Sequence, residues 1–282
     1  MRICIIIPAH NEAQHIADCL FSFINQSHPP EQLIIVDDNS TDNTHWIATD
    51  IAKNYDWIKV IQRKSSDNHS PGKKVVNAFN FGLNQLSDYD LIGKFDADII
   101  LPPNYFEQMR NHFQSDWKLG ICSGLLYIKK NTEWVYENIA DKNHVRGPIK
   151  LYHKACFEKI GGLKSGVGWD TVDVLLAKYH DFFIKTDKNL FVKHLRPTGR
   201  GYRSKGYQKK GEALYKMRYG LPLAKIALLK MMWQSQNPMI YVQGILGYIK
   251  AWMTKKPRFV NKKEGVFIRN LRWKGIFRKI KS

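Results

Sequence analysis

Apolar positions in the first hundred residues alternate between short unbroken runs and longer stretches in which they recur every three or four residues. Ile3–Ile7 (ICIII) is an unbroken run ended by Pro8, the pattern of a strand buried on both faces. Glu12–Gln26 carries Ile16, Cys19, Leu20, Phe23 and Ile24 at helical spacing, with Asn11 expected as N-cap and Glu12 in the first turn. Leu33–Val36 predicts a second strand, which runs into Asp37-Asp38-Asn39-Ser40-Thr41-Asp42. A helix through Trp46, Ile47 and Ile51 follows, then a strand at Ile58–Ile61 and a polar loop at Lys64–Pro71. Gly72-Lys73-Lys74 opens a helix through Val76, Phe79, Leu83 and Leu86, and Leu91–Phe95 (LIGKF) reads as a fourth strand. Strand and helix thus alternate four times. The expected fold class is α/β, a doubly wound, mostly parallel sheet with right-handed crossovers and flanking helices.

The pattern continues with a helix at Tyr105–Phe113 and strands at Ile121–Ile128 and Val145–His153. Next come a glycine-rich stretch from Gly161 to Asp170, a helix through Val172, Leu175, Leu176 and Tyr179, and a strand at Phe191–Leu195. Leu221–Trp233 and Met239–Trp252 are apolar segments broken at Asn237-Pro238. Each is shorter than the ~20 residues needed to span a bilayer.

The fourth strand ends in Asp96-Ala97-Asp98. Carboxyl ends of strands are where open α/β sheets bind ligands. Two carboxylates this close repel unless a cation lies between them. A divalent metal with oxygen ligands satisfies both and leaves positions for phosphate oxygens. Asp-x-Asp alone is weak evidence, because Asp is common where strands turn. The same edge of the sheet, however, collects Pro8-Ala9-His10-Asn11-Glu12 and Asp37-Asp38. A carboxylate there can accept the imide hydrogen of uracil or the amide hydrogen of guanine, and Lys73 or Lys74 at a helix start can meet phosphate.

Four motifs, Pro8–Glu12, Val36–Asp42, Gly72-Lys73-Lys74 with Asn77, and Asp96-Ala97-Asp98, resemble in order and spacing those of family 2 glycosyltransferases with the GT-A fold. The likeness continues through Ile160-Gly161-Gly162 to about Arg200. It implies inverting transfer of a sugar from a UDP- or GDP-sugar, a nucleotide diphosphate donor, with Mg2+ or Mn2+ as the divalent metal. By position, Glu12 and Asp38 would touch the nucleoside, with Asp37, Pro8 and Ala9 beside it. Asp96 would contact ribose or metal, and Asp98 would bind the metal. His194 would be a third metal ligand, and Arg196 or Arg200 would neutralise the diphosphate leaving group. A lone histidine is more often structural, and it is the motif order that raises His194.

Arg146-Gly147 would lie near the acceptor, and inverting transfer needs a base for the acceptor hydroxyl. The family region often reads Glu-Asp-x-Asp, whereas here it is Trp169-Asp170-Thr171-Val172-Asp173, so a strict alignment puts Thr171, which cannot act as a base, at that place. Asp170 is the first choice and Asp173 the second. Without the family, Asp170 would read equally well as a helix cap.

Charge adds a division that the apolar pattern does not show. Of 44 Lys and Arg, 23 fall between Lys193 and Ser282 against two acids, Glu212 and Glu264. The first 192 residues are close to neutral, at −2. The expected organisation is a catalytic domain over 1–200, with a nucleotide-sugar half to about 100 and an acceptor half beyond it, and a basic helical extension over 201–282. Trp233, Tyr241, Tyr248 and Trp252 beside lysines suit helices lying in a membrane interface, and the run from Lys255 to Lys281 suits an anionic leaflet. Packing on the catalytic domain with solvated lysines is the plainer alternative.

Cys4, Cys19, Cys122 and Cys156 show no metal or disulfide spacing, and MRICIIIPAHNE is no signal peptide. The expected place is the cytoplasm, peripheral on the inner membrane face. The expected partners are the sugar donor, a glycan or lipid-linked glycan acceptor in cell-surface polysaccharide or glycolipid synthesis, and the membrane; no nucleic-acid-binding motif is present. A nucleotidyltransferase would open with a glycine-rich phosphate loop after the first strand, where this chain has Pro8–Glu12. A non-catalytic sugar- or nucleotide-binding relative would be expected to have lost carboxylates that this chain keeps.

Overall fold

The structure, a computed structural model, describes residues 1–65, 72–197 and 204–281. Most of the expected loop at 64–71 lies outside these residues, as does Arg200. The chain divides into two compact units: Met1–Ser70, Lys74–Leu163 and His180–Thr198 form the first, and Pro71–Lys73, Lys164–Tyr179 and Gly199–Ser282 the second. Residues 164–179 therefore belong with the basic C-terminal segment, although they precede position 200.

In the first unit, β1 (Ile3–Ala9), β2 (Gln32–Asp37), β3 (Ile58–Gln62) and β4 (Leu91–Phe95) form a parallel array in the order β3-β2-β1-β4. The crossovers carry α1 (Ile16–Ile24), α2 (Thr44–Ala52) and α3 (Lys73–Leu83). Strand order reverses between β1 and β4, the switch point at which such sheets open a ligand crevice. Beyond β4 the sheet is mixed. After β5 (Ile99–Ile100) and α4 (Tyr105–Ser115), β6 (Leu119–Lys130) pairs antiparallel with β7 (Glu133–Tyr136) and β8 (Ile149–His153), and parallel with β9 (Phe183–His194). β8 is antiparallel to β4, and β5 to β9. A short helix, α5 (Lys154–Lys159), follows β8.

The core that fixes the end of β4 is aromatic. Phe95 meets Phe23 of α1 at 5.6 Å and Tyr105 of α4 at 5.9 Å between ring centroids, both edge-on. The buried Tyr105 hydroxyl donates to Ile149 O and accepts from Gly124 N, so burial leaves it satisfied. This wedge anchors the strand that carries Asp96 and Asp98.

Several elements differ from the sequence pattern. β1 does not stop at Pro8 but continues to Ala9, with Pro8 opposite Val36. Its ladder to β4 ends at Ile6, so one side of the strand is open there and a missing N–H costs little. Asn11 does not cap α1. It sits at φ +56, its side chain accepts from Thr41 N at 2.8 Å, and the first bonds into the helix go to Glu12 O. β9 starts at Phe183 rather than Phe191, while β8 starts at Ile149 rather than Val145.

The second unit contains α6 (Trp169–Tyr179), α7 (Ser204–Lys216), α8 (Leu221–Ser235), α9 (Met239–Met253) and α10 (Lys262–Lys281). α7 and α9 touch backbone to backbone: a Cβ on Gly211 would lie 1.7 Å from Gly244 O, and one on Gly247 would lie 2.0 Å from Gln208 O. The break before α9 is made by Gln236 in the left-handed conformation, followed by Asn237, whose side chain accepts from Met239 N. Arg258 donates to Tyr215 O and Arg269 to Arg218 O, placing cations at the carboxyl end of α7, where its dipole favours them. Among the described residues no helix is long and apolar enough to cross a membrane.

Candidate functional site

The parallel array delivers three acidic segments to one edge. Asp37 and Asp38, at and just after the end of β2, are buried. Asp37 accepts from Ser40 N at 3.1 Å and Gln62 Nε2 at 3.3 Å, and Asp38 accepts from Arg63 Nη1 at 2.6 Å. His10 Nδ1 lies 2.8 Å from Asp38 O, and Asp38 N donates to Ala9 O, tying the end of β1 to that of β2. Left-handed Asn11 and Asn39 shape the two loops that interlock there. Short polar side chains tolerate that conformation best.

Asp96, Asp98 and His194 meet at the carboxyl ends of β4 and β9. One ligand atom from each lies within 4.8 Å of the others. Asp96 N donates to Pro148 O at 2.9 Å, and Leu195 N donates to Asp98 O at 2.8 Å, so backbone bonds hold both sides. An octahedral metal with ligands at about 2.1 Å sets opposite ligands about 4.2 Å apart. Two carboxylates and an imidazole at this spacing fit such an ion after small inward shifts.

The acids are answered by cations, and Lys94, Glu137 and Arg63 were not expected from the sequence. Lys94, a buried lysine inside β4, pairs with Asp96. Arg196 pairs with Glu12 and, through Nη2, with Asp98 at 3.1 Å. His194 lies between two carboxylates, with Nε2 3.5 Å from Asp98 Oδ1 and Nδ1 3.0 Å from Glu137 Oε2. Arg146, expected on the acceptor side, is buried with its guanidinium on Glu137 at 2.5 Å. Lys94 was readable as the one charge inside LIGKF. Glu137 lies 57 residues from His194, and nothing in its own segment marks it.

Burial and pairing together shift Glu12, Asp98 and His194. Burial pushes the Glu12 carboxyl up to about 7, against the hydrogen bond from Arg196. Burial also pushes Asp98 up, but the hydrogen bond with His194 and the charges of Arg196 and Lys94 outweigh it and hold that carboxyl below its ordinary value. His194 loses solvation on burial, yet Asp98 and Glu137 raise it to about 9. Glu12 Oε2 is buried with no hydrogen-bond partner, an acceptor open at the switch point.

The remaining candidates are spread over both units. Pro8 and Ala9 close β1. Lys73, exposed, and Lys74, half-buried, begin α3. In the second unit Asp170 is half-buried in the first turn of α6, whereas Asp173 is 1% exposed and accepts from Val174 N at 2.6 Å. Gly72, at φ +71, lies against the backbone of Gly166, where a Cβ would come within 2.5 Å of a carbonyl oxygen.

Three comparisons bear on this arrangement. The sequence model described as Glycosyl transferase family 2 matches residues 4–163, more than half of the chain. A probable glycosyltransferase, YdaM of Bacillus subtilis, is 35% identical over 99 residues, 34% of this chain and 23% of that protein. The poly-beta-1,6-N-acetyl-D-glucosamine synthase of Staphylococcus epidermidis is 30% identical over 122 residues, 43% of this chain and 28% of that one. The match thus spans about a quarter of the length of these relatives. Among solved structures, the mannosyltransferase PcManGT from Pyrobaculum calidifontis, in complex with GDP-Man and Mn2+, aligns with a TM-score of 0.59 at 16% identity, over 95% of this chain and 79% of that chain. S. aureus TarS 1–349 in complex with UDP-GlcNAc aligns with a TM-score of 0.58 at 16% identity, over 75% of this chain and 65% of that chain. At such identities the likeness speaks for the fold.

Proposed function

The chain belongs to glycosyl transferase family 2, and from that premise we propose that it moves a sugar from a UDP- or GDP-sugar to a hydroxyl of a glycan or lipid-linked glycan, with inversion, in the synthesis of a cell-surface polysaccharide or glycolipid. The observation that carries the reading is the meeting of Asp96, Asp98 and His194 beside the open acceptor of Glu12 at the β1–β4 switch point. Two structural neighbours were solved with nucleotide sugars, one of them also with Mn2+.

In this reading Asp96, Asp98 and His194 hold the divalent ion, which when bound offsets the charge of the diphosphate. Asp38 accepts a base hydrogen, steadied by Arg63. Glu12, with Asp37, Pro8 and Ala9, lines the nucleoside. Arg196 releases Glu12 and Asp98 to meet the leaving diphosphate, and Lys73 and Lys74 approach phosphate at the start of α3. Arg200, proposed with Arg196, lies outside the described residues. Asp170 takes the acceptor proton. Its half-exposed place at the start of α6 favours it over buried Asp173.

The second unit, with residues 201–282 as its basic extension, acts in this proposal as a peripheral membrane module on the cytoplasmic face. Along α9, Met239, Val242, Leu246, Ile249 and Met253 form an exposed apolar stripe at spacings of three and four, and Trp233 and Trp252 are 75% and 64% exposed. Lys225, Lys230 and Lys250 lie on the same two helices. Such helices adsorb to a bilayer surface without crossing it.

The test is a thermal-shift screen of UDP- and GDP-sugars with Mn2+, followed by NMR of the product's anomeric centre. Stabilisation by one donor and a product of inverted configuration support the proposal. A retained configuration refutes inversion, and the absence of any binding donor refutes the transferase reading.

A further inference from the structure

Glu137 is a buried acid to which the proposed reaction gives no role. It is 2% exposed and follows directly on β7, its backbone N–H donating to Leu126 O at 2.9 Å. A single oxygen, Oε2, receives both Arg146 Nη1 at 2.5 Å and His194 Nδ1 at 3.0 Å. The backbone of His194 is already fixed, because β9 pairs at that residue with Ile128 and Ile99. What the backbone leaves undecided is the turn of the ring and which nitrogen keeps its hydrogen.

We propose that Glu137 is a positioning residue for a divalent cation: it holds the N–H of His194 on Nδ1 and so aims the lone pair of Nε2 at the space shared with Asp96 and Asp98. A cation bound at one ring nitrogen displaces that nitrogen's proton and leaves a neutral imidazole with a single N–H, which a carboxylate facing the other nitrogen holds in place. Nε2 is the nitrogen on the Asp98 side, 3.5 Å from Oδ1. Arg146 completes the device. A carboxylate at this depth needs a charge partner, and Arg146, itself buried, supplies it from nine residues along the chain. The segment that begins at Glu137 and carries Arg146 runs on to Gly147 and Pro148, whose carbonyls accept from Lys94 Nζ and Asp96 N. It is therefore tied to the ligand cluster at both ends, through His194 at one and through Asp96 at the other.

This inference rests on the metal reading of the proposed function, and the experiment separates the two. Full-length wild type, Glu137→Gln and Asp98→Asn are titrated with Mn2+, and free Mn2+ is read by its paramagnetic resonance, with circular dichroism as a control for folding. The expected result is that Glu137→Gln binds Mn2+ about 10–100-fold more weakly, the usual effect of removing the group that orients a ligand, while Asp98→Asn loses the site. Equal affinity of Glu137→Gln and wild type, with Asp98→Asn impaired, overturns the role of Glu137 and leaves the metal reading standing. Equal affinity of Asp98→Asn and wild type overturns the metal reading and this proposal with it. If Glu137→Gln does not fold, wild type with 15N-labelled histidine decides in the Mg2+ form, the His194 signals being assigned against His194→Asn. Hydrogen on Nδ1 and none on Nε2 is expected. The opposite tautomer contradicts the proposal.

Discussion

Four acids, Glu12, Asp96, Asp98 and Glu137, lie among Lys94, Arg146, His194 and Arg196, each in an ion pair with at least one of them. Glu12 is raised to about 7, above the ordinary carboxylate range, because burial penalises its charge. Below that value the folded protein holds the carboxyl neutral, and above it the group becomes the better acceptor. Binding of UDP or GDP should therefore strengthen as pH rises from 6 to 8, while Glu12→Gln shows a flatter profile; calorimetry across that range is the check, and parallel profiles would remove Glu12 from the pocket. Asp38→Ala should weaken nucleotide binding by about 1–3 kcal/mol, the cost of losing a charge-assisted acceptor, and unchanged affinity would leave Asp38 as the partner of Arg63 alone. Asp170→Asn should retain the donor and slow transfer by about two to four orders of magnitude; a normal rate there with an inactive Asp173→Asn would exchange the two. Asp96, Asp98 and His194 were legible because motif order singles them out. Glu137 was not, since a charge answered by a residue far along the chain leaves no local periodicity, whereas Lys94, whose partner Asp96 is its near neighbour, was marked as the one charge inside its strand.

At the level of elements, strands and helices followed apolar spacing wherever one face or both were buried. The four parallel strands were readable for that reason. β7 and β5 were not, because β7 is only partly buried and β5 is two residues long. Pro8 misled because a proline's cost depends on whether its edge is paired, and that is decided by β4, eighty residues on. Asn11 misled because its amide serves the β2 loop rather than its own helix. The contact of α7 with α9 is set by glycine, which apolar patterns overlook. Gly211→Ala should force these helices apart and cost about 1–3 kcal/mol, as overpacking does, a fall of several degrees in melting temperature. An unchanged melting temperature would mean that α7 and α9 are not held this closely.

Over the whole molecule, the step from a near-neutral segment to a strongly basic one was plain in composition, whereas the assignment of residues 164–179 to the second unit was not, because it depends on packing and not on charge. Each lysine or arginine near an anionic bilayer contributes about 1 kcal/mol, so the full chain should sediment with anionic vesicles at low salt and much less at high salt. Equal, negligible sedimentation with neutral and anionic vesicles would remove the membrane role. The central claim, metal-dependent use of a nucleotide sugar, is tested most directly by release of nucleoside diphosphate from a panel of UDP- and GDP-sugars, measured with Mn2+ and after exhaustive chelation. The account predicts release from at least one donor, lost on chelation, restored by Mn2+ and absent in a folded Asp98→Asn. Release that survives chelation, or that Asp98→Asn carries out as fast as wild type, would contradict it.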